Sequence, residues 1–391
     1  MNAVKYLIGT EHVSCQPLKP YSDEVCAFAA ALSDAMMRNA EARRYPDVMS
    51  FAFWCRKANL AVKKNKWDEK AERRLGRGLV FHVAPSNVPI NFAFTYMFSL
   101  LAGNANIVRV PSREFPQVTL VCHVMKEVLE SYPEIKERTA FVQYPAGNEI
   151  TEQFSLMADA RVIWGGDATV TQIRSCATKP KCIDLVFADR YSICVLDGKA
   201  IEETDSAKLK KLAEAFYNDT YLMDQNACSS PQMIFWKNAS KTAKERFWNA
   251  IFEYSKPKYY LQAASSVDKY MKLCQDAVDM PNLEKGSRIE NLVYHVQLGE
   301  LPKDITKLRG SCGYFYECDL NRYEELLPVL TEKFQTVTYF GVDPEEIQDF
   351  VIENHVRGID RIVPVGKSLD IDVIWDGYDI VGMLSRIVEV K

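Results

Sequence analysis

Short apolar segments alternate with helical segments from Gly78 onward, and this rhythm restricts the chain to a small set of folds. The apolar segments read GLVFHVA, NIVRVP, RTAFVQY and RVIW, at 78–84, 106–111, 138–144 and 161–164. Short buried strands that alternate with helices form βαβ units, whose right-handed connections build a parallel sheet covered on both faces. The sequence therefore predicts a doubly wound α/β domain.

Three loops follow the carboxyl ends of these predicted strands, at 85–87, 111–113 and 165–167. Ligands of doubly wound sheets bind at this edge. Gly165 and Gly166 can admit a pyrophosphate or a nicotinamide close to the backbone. They can equally form a tight strand-to-helix turn, with Asp167 as the helix cap.

The remainder of the chain predicts a second α/β domain. Residues 1–199 would comprise N-terminal helices and the first sheet, with a strand at Tyr191–Leu196 closing it. The second domain is expected at 200–370, followed by a tail at 371–391. Asp343 before Pro344 marks a helix start, because it combines a cap with a first-turn proline.

Composition excludes several classes of function. The 391 residues carry a net charge of −4, so no basic surplus is present to neutralise a phosphate backbone, and nucleic acid is not expected as a partner. The apolar stretch 88–103 is shorter than the roughly 20 residues that cross a bilayer. The eleven cysteines are irregularly spaced and the N-terminus lacks a signal-peptide pattern, so reduced thiols and a cytoplasmic location are expected.

Cys228 is the candidate nucleophile, within NDTYLMDQNACSSPQMIF. Ser229, Ser230 and Pro231 after it could begin a new element with free backbone N–H groups. Such donors lower a thiol pKa and favour the nucleophilic thiolate. A single cysteine is, however, more often an inert small hydrophobic residue.

Asn87 lies in the turn after the first predicted parallel strand. Its amide can donate to an oxyanion, although asparagine is also common in turns for conformational reasons alone. The sequence contains no G-x-G-x-x-G motif, no P-loop and no Cys/His pairing at metal-ligand spacing, so no metal is expected.

Taken in order, these segments resemble the aldehyde dehydrogenase superfamily. HVAPSNVP is similar to its P-x-N-x-P turn, LLAGNANIVRVPS to its A-x-G-N-x-x-V-x-K-P segment, and the loop at Trp164–Gly166 to its cofactor loop. NACSSPQ, GIDRIVPVGKSLD and WDGYDIVGMLSRIV resemble signatures of the acyl-CoA reductase (LuxC) family, which makes fatty aldehydes from acyl thioesters. The resemblance implies two doubly wound domains with a catalytic cleft between them.

The resemblance also implies roles for individual residues. Cys228 corresponds to the nucleophile, and Asn87 to the side-chain donor of an oxyanion hole completed by the Cys228 N–H. Arg109 falls where ordinary members carry a lysine that contacts the adenosine ribose, and Ser112 where many NAD-dependent members carry an acid. An arginine without that acid favours a 2′-phosphate, and therefore NADPH over NADH. The candidate cofactor-binding residues are Pro85, Ser86, Arg109, Ser112, Gly165 and Gly166.

Two departures from the superfamily pattern concern the active-site loops. The E-L-G-G-K segment, which supplies a water-activating glutamate, has no clear counterpart, and DLVFADR occupies the region. Asp184 is the nearest acid but is not assigned the role. The residues before Cys228 are Gln225-Asn226-Ala227 rather than Gly-Gln-x, which affects the expected loop geometry.

The resulting hypothesis is NADPH-dependent reduction of a fatty acyl-CoA or acyl-protein thioester to an aldehyde through an S-acyl-cysteine. One alternative is an NAD-dependent dehydrogenase that oxidises an aldehyde to the acid. Another is a non-redox acyl-carrier or docking protein. The resemblance further implies an acyl-protein synthetase and an acyltransferase as partners, and a homo-oligomer in which the strand LSRIVEVK takes part.

Overall fold

Two structural units divide the chain in the computed structural model, which describes residues 4–67, 73–85, 88–111, 113–145 and 147–391. The first unit comprises the residues up to Ala188 together with Tyr378–Lys391, and the second is Asp189–Gly377. The boundary expected at 199/200 lies later than this division, because the strand that begins at Tyr191 belongs to the sheet of the second unit. Each unit has a sheet and a hydrophobic core of its own.

A mostly parallel sheet lies at the centre of the first unit. The strands of this unit are β1 (Lys5–Ile8), β2 (Arg74–Gly76), β3 (Leu79–Val83), β4 (Ala105–Arg109), β5 (Thr139–Gln143), β6 (Ala160–Trp164) and β7 (Ile183–Phe187). Six of them pair in the order β1-β5-β4-β3-β6-β7, and only the edge strand β1 is antiparallel to its neighbour. Strands β4 and β5 lie on one side of β3, and β6 and β7 on the other. This reversal is the doubly wound arrangement that the sequence predicted.

Helices cover this sheet. They are α1 (Asp23–Arg38), α2 (Pro46–Trp54), α3 (Lys57–Asn65), α4 (Asn91–Leu101), α5 (Pro116–Leu129), α6 (Pro133–Glu137), α7 (Asn148–Met157) and α8 (Asp167–Arg174). Every residue of α4 is buried, which explains why this helix is apolar on all sides. No helix within the described parts of the chain is long and apolar enough to cross a membrane.

The second unit is built on a seven-stranded sheet. Its strands are β8 (Tyr191–Asp197), β9 (Pro231–Lys237), β10 (Leu283–Ile289), β11 (Val293–Leu298), β12 (Tyr314–Asp319), β13 (Phe334–Phe340) and β14 (Arg361–Pro364). They pair in the order β10-β11-β12-β9-β8-β13-β14, with only β10 antiparallel. The prediction that Tyr191–Leu196 closes the first domain is therefore wrong. This strand lies inside the second sheet, between β9 and β13.

Helices connect the strands of the second unit. They are α9 (Gly198–Glu203), α10 (Ser206–Thr220), α11 (Lys241–Ser255), α12 (Ala263–Asp279) and α13 (Pro344–Glu353). The start predicted at Asp343 is confirmed, since its side chain accepts a hydrogen bond from the Glu345 N–H at 3.0 Å. Proline at the first helical position needs no hydrogen-bond partner there.

The C-terminal residues return to the first unit. They form β16 (Tyr378–Asp379), α14 (Ile380–Met383) and β17 (Ser385–Ile387), after β15 (Ile374–Trp375) at the end of the second unit. Strand β17 pairs antiparallel with β2, and the Asn104 side-chain amide donates to the Leu384 carbonyl at 2.9 Å. The strand for which the resemblance implied a role in oligomerisation thus has a partner strand in its own unit.

Candidate active site

Cys228 lies at the tip of a tight loop in the second unit. The loop leaves α10 through Asp224 and Gln225, whose φ angles of 50° and 63° place both in the left-handed region. The Ser230 N–H then donates to the Ala227 carbonyl at 2.9 Å and closes a turn around the cysteine. Cys228 is exposed at this turn, immediately before β9.

Gln225 fastens this loop to the start of β12. Its side chain is 1% exposed. The amide nitrogen donates to the carbonyls of Tyr314 at 2.9 Å and Pro231 at 3.2 Å, and the amide oxygen accepts from the N–H groups of Gly313 and Tyr314 at 3.2 and 3.1 Å. One side chain thus satisfies four backbone groups, which offsets the cost of burying an amide and holding its backbone in a left-handed conformation.

Ser192 fixes the peptide on the carboxyl side of the cysteine. Its buried hydroxyl donates to the Cys228 carbonyl at 2.7 Å and accepts from the Thr336 N–H at 3.3 Å. Since Ser192 belongs to β8 and Thr336 to β13, the loop is attached to two strands of the sheet. Rigid attachment of this kind positions a reacting atom before the substrate binds.

The electrostatic surroundings of Cys228 differ from the expectation. Although the residue as a whole is exposed, protein atoms crowd its sulfur, and the resulting desolvation raises the pKa of the Cys228 thiol. The Asp189 and Asp376 carboxylates raise this pKa further, while the Arg190 backbone N–H and Arg309 lower it. On balance these surroundings favour the thiol over the thiolate.

The expectation of a lowered pKa rested on free N–H groups after the cysteine, and it is wrong for this state of the protein. The element that follows is strand β9 rather than a helix, so no helix dipole acts on the sulfur. The Ser230 N–H is already taken by the Ala227 carbonyl.

Charged residues that the motifs did not indicate surround this loop. Arg309 forms an ion pair with Asp189 at 2.8 Å and donates to the Arg190 carbonyl at 3.0 Å. The Arg190 side chain pairs with Asp360, and its Nε is buried without a hydrogen-bond partner among the described residues. These partners lie far apart in the sequence, so no local pattern could have revealed them.

The candidate cofactor residues of the first unit lie at the carboxyl ends of three adjacent strands. Pro85 follows β3, Arg109 ends β4, and Gly165 and Gly166 follow β6. Because β3 pairs in parallel with both β4 and β6, these ends share one edge of the sheet, at the point where the strand order reverses. Ser86, Asn87 and Ser112 lie outside the described residues.

This edge has features that suit an anionic cofactor. The Arg109 guanidinium lies 4.4 Å from the ring centre of Tyr144. A Cβ added to Gly166 would meet no atom within 4 Å, so space is open beside the amino end of α8. Gly166 itself is the N-cap residue, and Asp167 is the first residue inside the helix rather than its cap. Backbone N–H groups at a helix start favour a phosphate.

Asp184 is engaged in a structural ion pair. It lies on β7, and its two carboxylate oxygens accept from the Arg161 guanidinium at 2.7 and 2.8 Å. Arg161 is 2% exposed and also donates to the carbonyl of Ile173 at 2.9 Å. A carboxylate held in two short charge-assisted bonds stabilises the first unit and is poorly suited to accept a proton from water.

Residues 30–388 match the family model described as Acyl-CoA reductase (LuxC). The chain belongs to the acyl-CoA reductase (LuxC) family. A curated relative, the long-chain acyl-protein thioester reductase of Vibrio harveyi, is 23% identical over an alignment of 339 residues that covers 83% of this chain. The LuxC chain described here spans 66% of the length of that relative.

Solved structures show that this LuxC-family chain has the aldehyde dehydrogenase fold. Aldehyde dehydrogenase 21 from Physcomitrella patens matches with a TM-score of 0.64 and 11% identity, over 93% of this chain and 84% of its own. A mutant of 1-pyrroline-5-carboxylate dehydrogenase from Thermus thermophilus also matches with a TM-score of 0.64 and 12% identity, over 94% of this chain and 81% of its own. At these identities the likeness concerns the fold.

Proposed function

We propose that this protein reduces an acyl thioester to an aldehyde with NADPH, through an S-acyl intermediate on Cys228. The observation that carries the proposal is an exposed cysteine on a loop that Gln225 and Ser192 hold in place, in a member of the LuxC family. The name of the Vibrio harveyi relative, a reductase of long-chain acyl-protein thioesters, favours a fatty acyl thioester as the substrate.

Cys228 performs the first chemical step. Its sulfur attacks the thioester carbonyl, and Asn87 together with the Cys228 N–H stabilises the negative charge that develops on the oxygen. The carbon–sulfur bond of the substrate then breaks, the thiol departs, and the acyl group remains on Cys228. The acyl donor is either an acyl-CoA or an acyl group carried by a partner protein.

Residues of the first unit hold the reductant. Gly165 and Gly166 form the loop for its phosphates, with open space beside Gly166. Arg109 contributes positive charge toward a 2′-phosphate, with Ser112 in place of a ribose-binding acid. These features favour NADPH, with NADH as the alternative. When bound, the dinucleotide supplies the hydride that converts the acyl group to an aldehyde.

The reaction also requires that the acyl group on Cys228 is protected from water. Asp184, the acid nearest to the place of the missing glutamate segment, is held by the Arg161 guanidinium, and we do not assign it the role of general base. Without the glutamate of the E-L-G-G-K segment to activate water, the S-acyl group persists until hydride transfer. This favours reduction over the dehydrogenase alternative, which requires such a base.

The first test is acyl labelling of Cys228. After incubation with a long-chain acyl-CoA, mass spectrometry should detect an acyl adduct on the Cys228 peptide, and Cys228→Ala should abolish both the adduct and NADPH oxidation. The matched control is Cys274→Ala, because Cys274 is also exposed but lies on α12. Continued acylation of the Cys228→Ala variant at the same level would rule out this nucleophile.

Cofactor binding and the direction of the redox reaction distinguish the two alternatives from the proposed function. Fluorescence titration with NADPH and NADH should show tighter binding of NADPH, and an absence of binding by either would favour an acyl carrier. Faster aldehyde oxidation than acyl-CoA reduction would favour the dehydrogenase. A panel of acyl-CoAs, compared with an acyl-protein synthetase carrying an activated acyl group, would identify the donor. Because all eleven cysteines are free, we expect this chemistry in the reducing cytoplasm.

A further inference from the structure

Gln232 is a buried glutamine that has no part in the chemistry above. It is the last residue of the segment NACSSPQ and lies on β9, shortly after Cys228. It is 5% exposed. Burying an amide is costly unless both its oxygen and its nitrogen have hydrogen-bond partners. The two polar atoms of this side chain therefore need partners inside the protein.

The pairing of β9 with β8 is irregular at this residue. Ser192 pairs with Pro231. The next residue of β8, Ile193, pairs with Met233. Gln232 is thus an extra residue on β9, as in a β-bulge. Bulges are rare between parallel strands and are over-represented beside active sites, where they redirect a side chain.

The Gln232 amide joins two loops. Its nitrogen donates to the Gln225 backbone carbonyl at 2.8 Å, and its oxygen accepts from the Gly310 N–H at 2.8 Å. A backbone carbonyl can only accept and a backbone N–H can only donate, so this position requires one donor and one acceptor. An apolar side chain of similar length, such as methionine, supplies neither.

The bond to Gln225 supports an unusual part of the nucleophile loop. Gln225 has φ of 63° and follows Asp224, which has φ of 50°. Residues other than glycine are uncommon in this region, because the conformation costs free energy that surrounding contacts must offset. Since Gln225 is 1% exposed, water cannot replace a lost donor to its carbonyl. The Gln232 amide is therefore one of the contacts that hold this conformation.

The bond to Gly310 anchors Gln232 to a loop that is itself fixed. Arg309, the residue before Gly310, donates to the Arg190 carbonyl at 3.0 Å. The amide of Gln232 thus holds the start of the nucleophile loop against a neighbouring loop. The hydroxyl of Ser192 holds the other end of the nucleophile loop, at the carbonyl of the cysteine.

We propose that Gln232 is a positioning residue for the acylation of Cys228. By holding the Gln225 carbonyl, it keeps the Cys228 sulfur and backbone N–H in the geometry that attack on a thioester carbonyl requires. The inference rests on the proposed acylation of Cys228. A misplacement of about 1 Å can cost about 100-fold in rate, so loss of this contact should slow the chemical step and leave donor binding intact.

Gln232→Met gives the first test. Single-turnover acylation at saturating long-chain acyl-CoA should slow about 100-fold, while the half-saturating acyl-CoA concentration should change by less than about threefold. Alkylation of the Cys228 peptide by iodoacetamide should also change by less than about threefold, because this reagent needs an accessible thiol and no oxyanion donor. Acylation at the unaltered rate would overturn the inference. Equal slowing of acylation and alkylation would also overturn it, since the sulfur would merely have become less accessible.

Gln297→Met is the matched control. Gln297 is a partly buried glutamine on β11 of the same unit, and it also forms two hydrogen bonds. Its oxygen accepts from Lys244 at 2.9 Å, and its nitrogen donates to the Leu298 carbonyl at 3.3 Å. Neither partner belongs to the nucleophile loop, so this variant should be acylated at the unaltered rate. A loss as large as that of Gln232→Met would mean that any lost hydrogen bond in the unit slows the reaction, and would overturn the inference.

A second variant, Gln232→Glu, carries the test if the thermal midpoint shows that Gln232→Met does not fold. Glutamate has the same length and keeps the acceptor for the Gly310 N–H. At about pH 8 its carboxylate is ionised and has no donor for the Gln225 carbonyl. Acylation should therefore be slow, and acylation at the unaltered rate would overturn the inference.

The outcomes distinguish the two proposals. If the unaltered protein is acylated on Cys228 and the Gln232 variants are acylated as fast, the inference about Gln232 fails and the proposed function stands. If the unaltered protein is never acylated on Cys228, both fail.

Discussion

His82 is a fully buried histidine on the central strand of the first unit. Its Nδ1 lies 2.9 Å from the Thr95 hydroxyl and its Nε2 lies 3.0 Å from the Asn106 side-chain oxygen. The Asn106 amide nitrogen donates to the Asn104 carbonyl, so its oxygen faces the ring and must accept. The neutral ring therefore carries its proton on Nε2. Burial lowers the pKa of His82 to about 4.

This histidine makes the stability of the first unit depend on pH. Because its folded pKa lies below the ordinary value of 6.5, the unfolded chain binds the proton more tightly. Stability is intact above pH 6.5 and is lost as the pH falls from 6.5 toward 4, by about 2 kcal/mol between pH 7.5 and 5. Hydrogen exchange of β3 amides at the two pH values measures this loss.

The matched variants isolate the contribution of one ring. The free energy of unfolding differs between pH 7.5 and pH 5, and His82→Gln should reduce this difference by about 2 kcal/mol, whatever its effect on stability at pH 7.5. His123→Gln should leave the difference unchanged, since His123 is exposed beside Glu127. An unchanged pH dependence in His82→Gln would contradict the prediction.

The candidate site shows which residues a sequence can and cannot reveal. Cys228 was identified from its flanking residues and the family resemblance, and its role stays a prediction. Gln225 and Ser192 were missed, because their hydrogen-bond partners lie on elements distant in sequence. The direction of the thiol pKa was missed for the same reason, since carboxylates distant in sequence help to set it.

Helix α12 illustrates the limit of pattern reading for a whole element. It buries the polar residues Lys269 and Asp276, whereas Val267, Met271 and Val278 are exposed. Apolar periodicity would place the opposite face inward. The alternating strands β3 to β6 were confirmed because burial on both faces makes them continuously apolar. The orientation of α12 depends instead on acceptors supplied by other segments.

Lys269 should therefore anchor α12. Its ammonium donates to the carbonyls of Asn291, Leu292 and Cys312 at 2.9, 3.1 and 2.7 Å. Lys269→Met would remove the ammonium donor from all three carbonyls, of which that of Leu292 keeps the Tyr221 hydroxyl at 3.1 Å, and should lower the free energy of unfolding of the second unit by about 2 kcal/mol in urea titrations. Lys285→Met, the same exchange at an exposed position of β10, should change it by less than about 0.5 kcal/mol. Equal effects of the two exchanges would refute the anchoring role.

At the scale of the whole chain, the second unit is an insertion within the first. The chain leaves the first unit at Ala188 and returns at Tyr378. The sequence correctly predicted two α/β domains. It did not predict where the chain passes between them, because no change of composition marks either point. The expected tail instead supplies a strand and buried apolar residues, among them Ile380, Val381 and Leu384, to the first unit.

Truncation tests this arrangement. A chain ending at Gly377 lacks β17 and the Leu384 carbonyl that accepts from Asn104, so amide exchange should accelerate in β2 and α4 by at least tenfold, equivalent to about 1.4 kcal/mol. A chain ending at Val388 retains these contacts and should exchange like the full chain. Unchanged protection of β2 in the shorter chain would show that the tail does not stabilise the first unit.

The insertion also sets the order in which the protein can be completed on a ribosome. Residues 378–391 are translated after the whole of Asp189–Gly377, so the later-encoded unit has all its strands while the earlier one still lacks β17. The hydrogen-bonding edge of β2 that β17 covers stays open during this interval and is available to other nascent chains. Maturation of the first unit therefore waits for residues 378–391 to emerge.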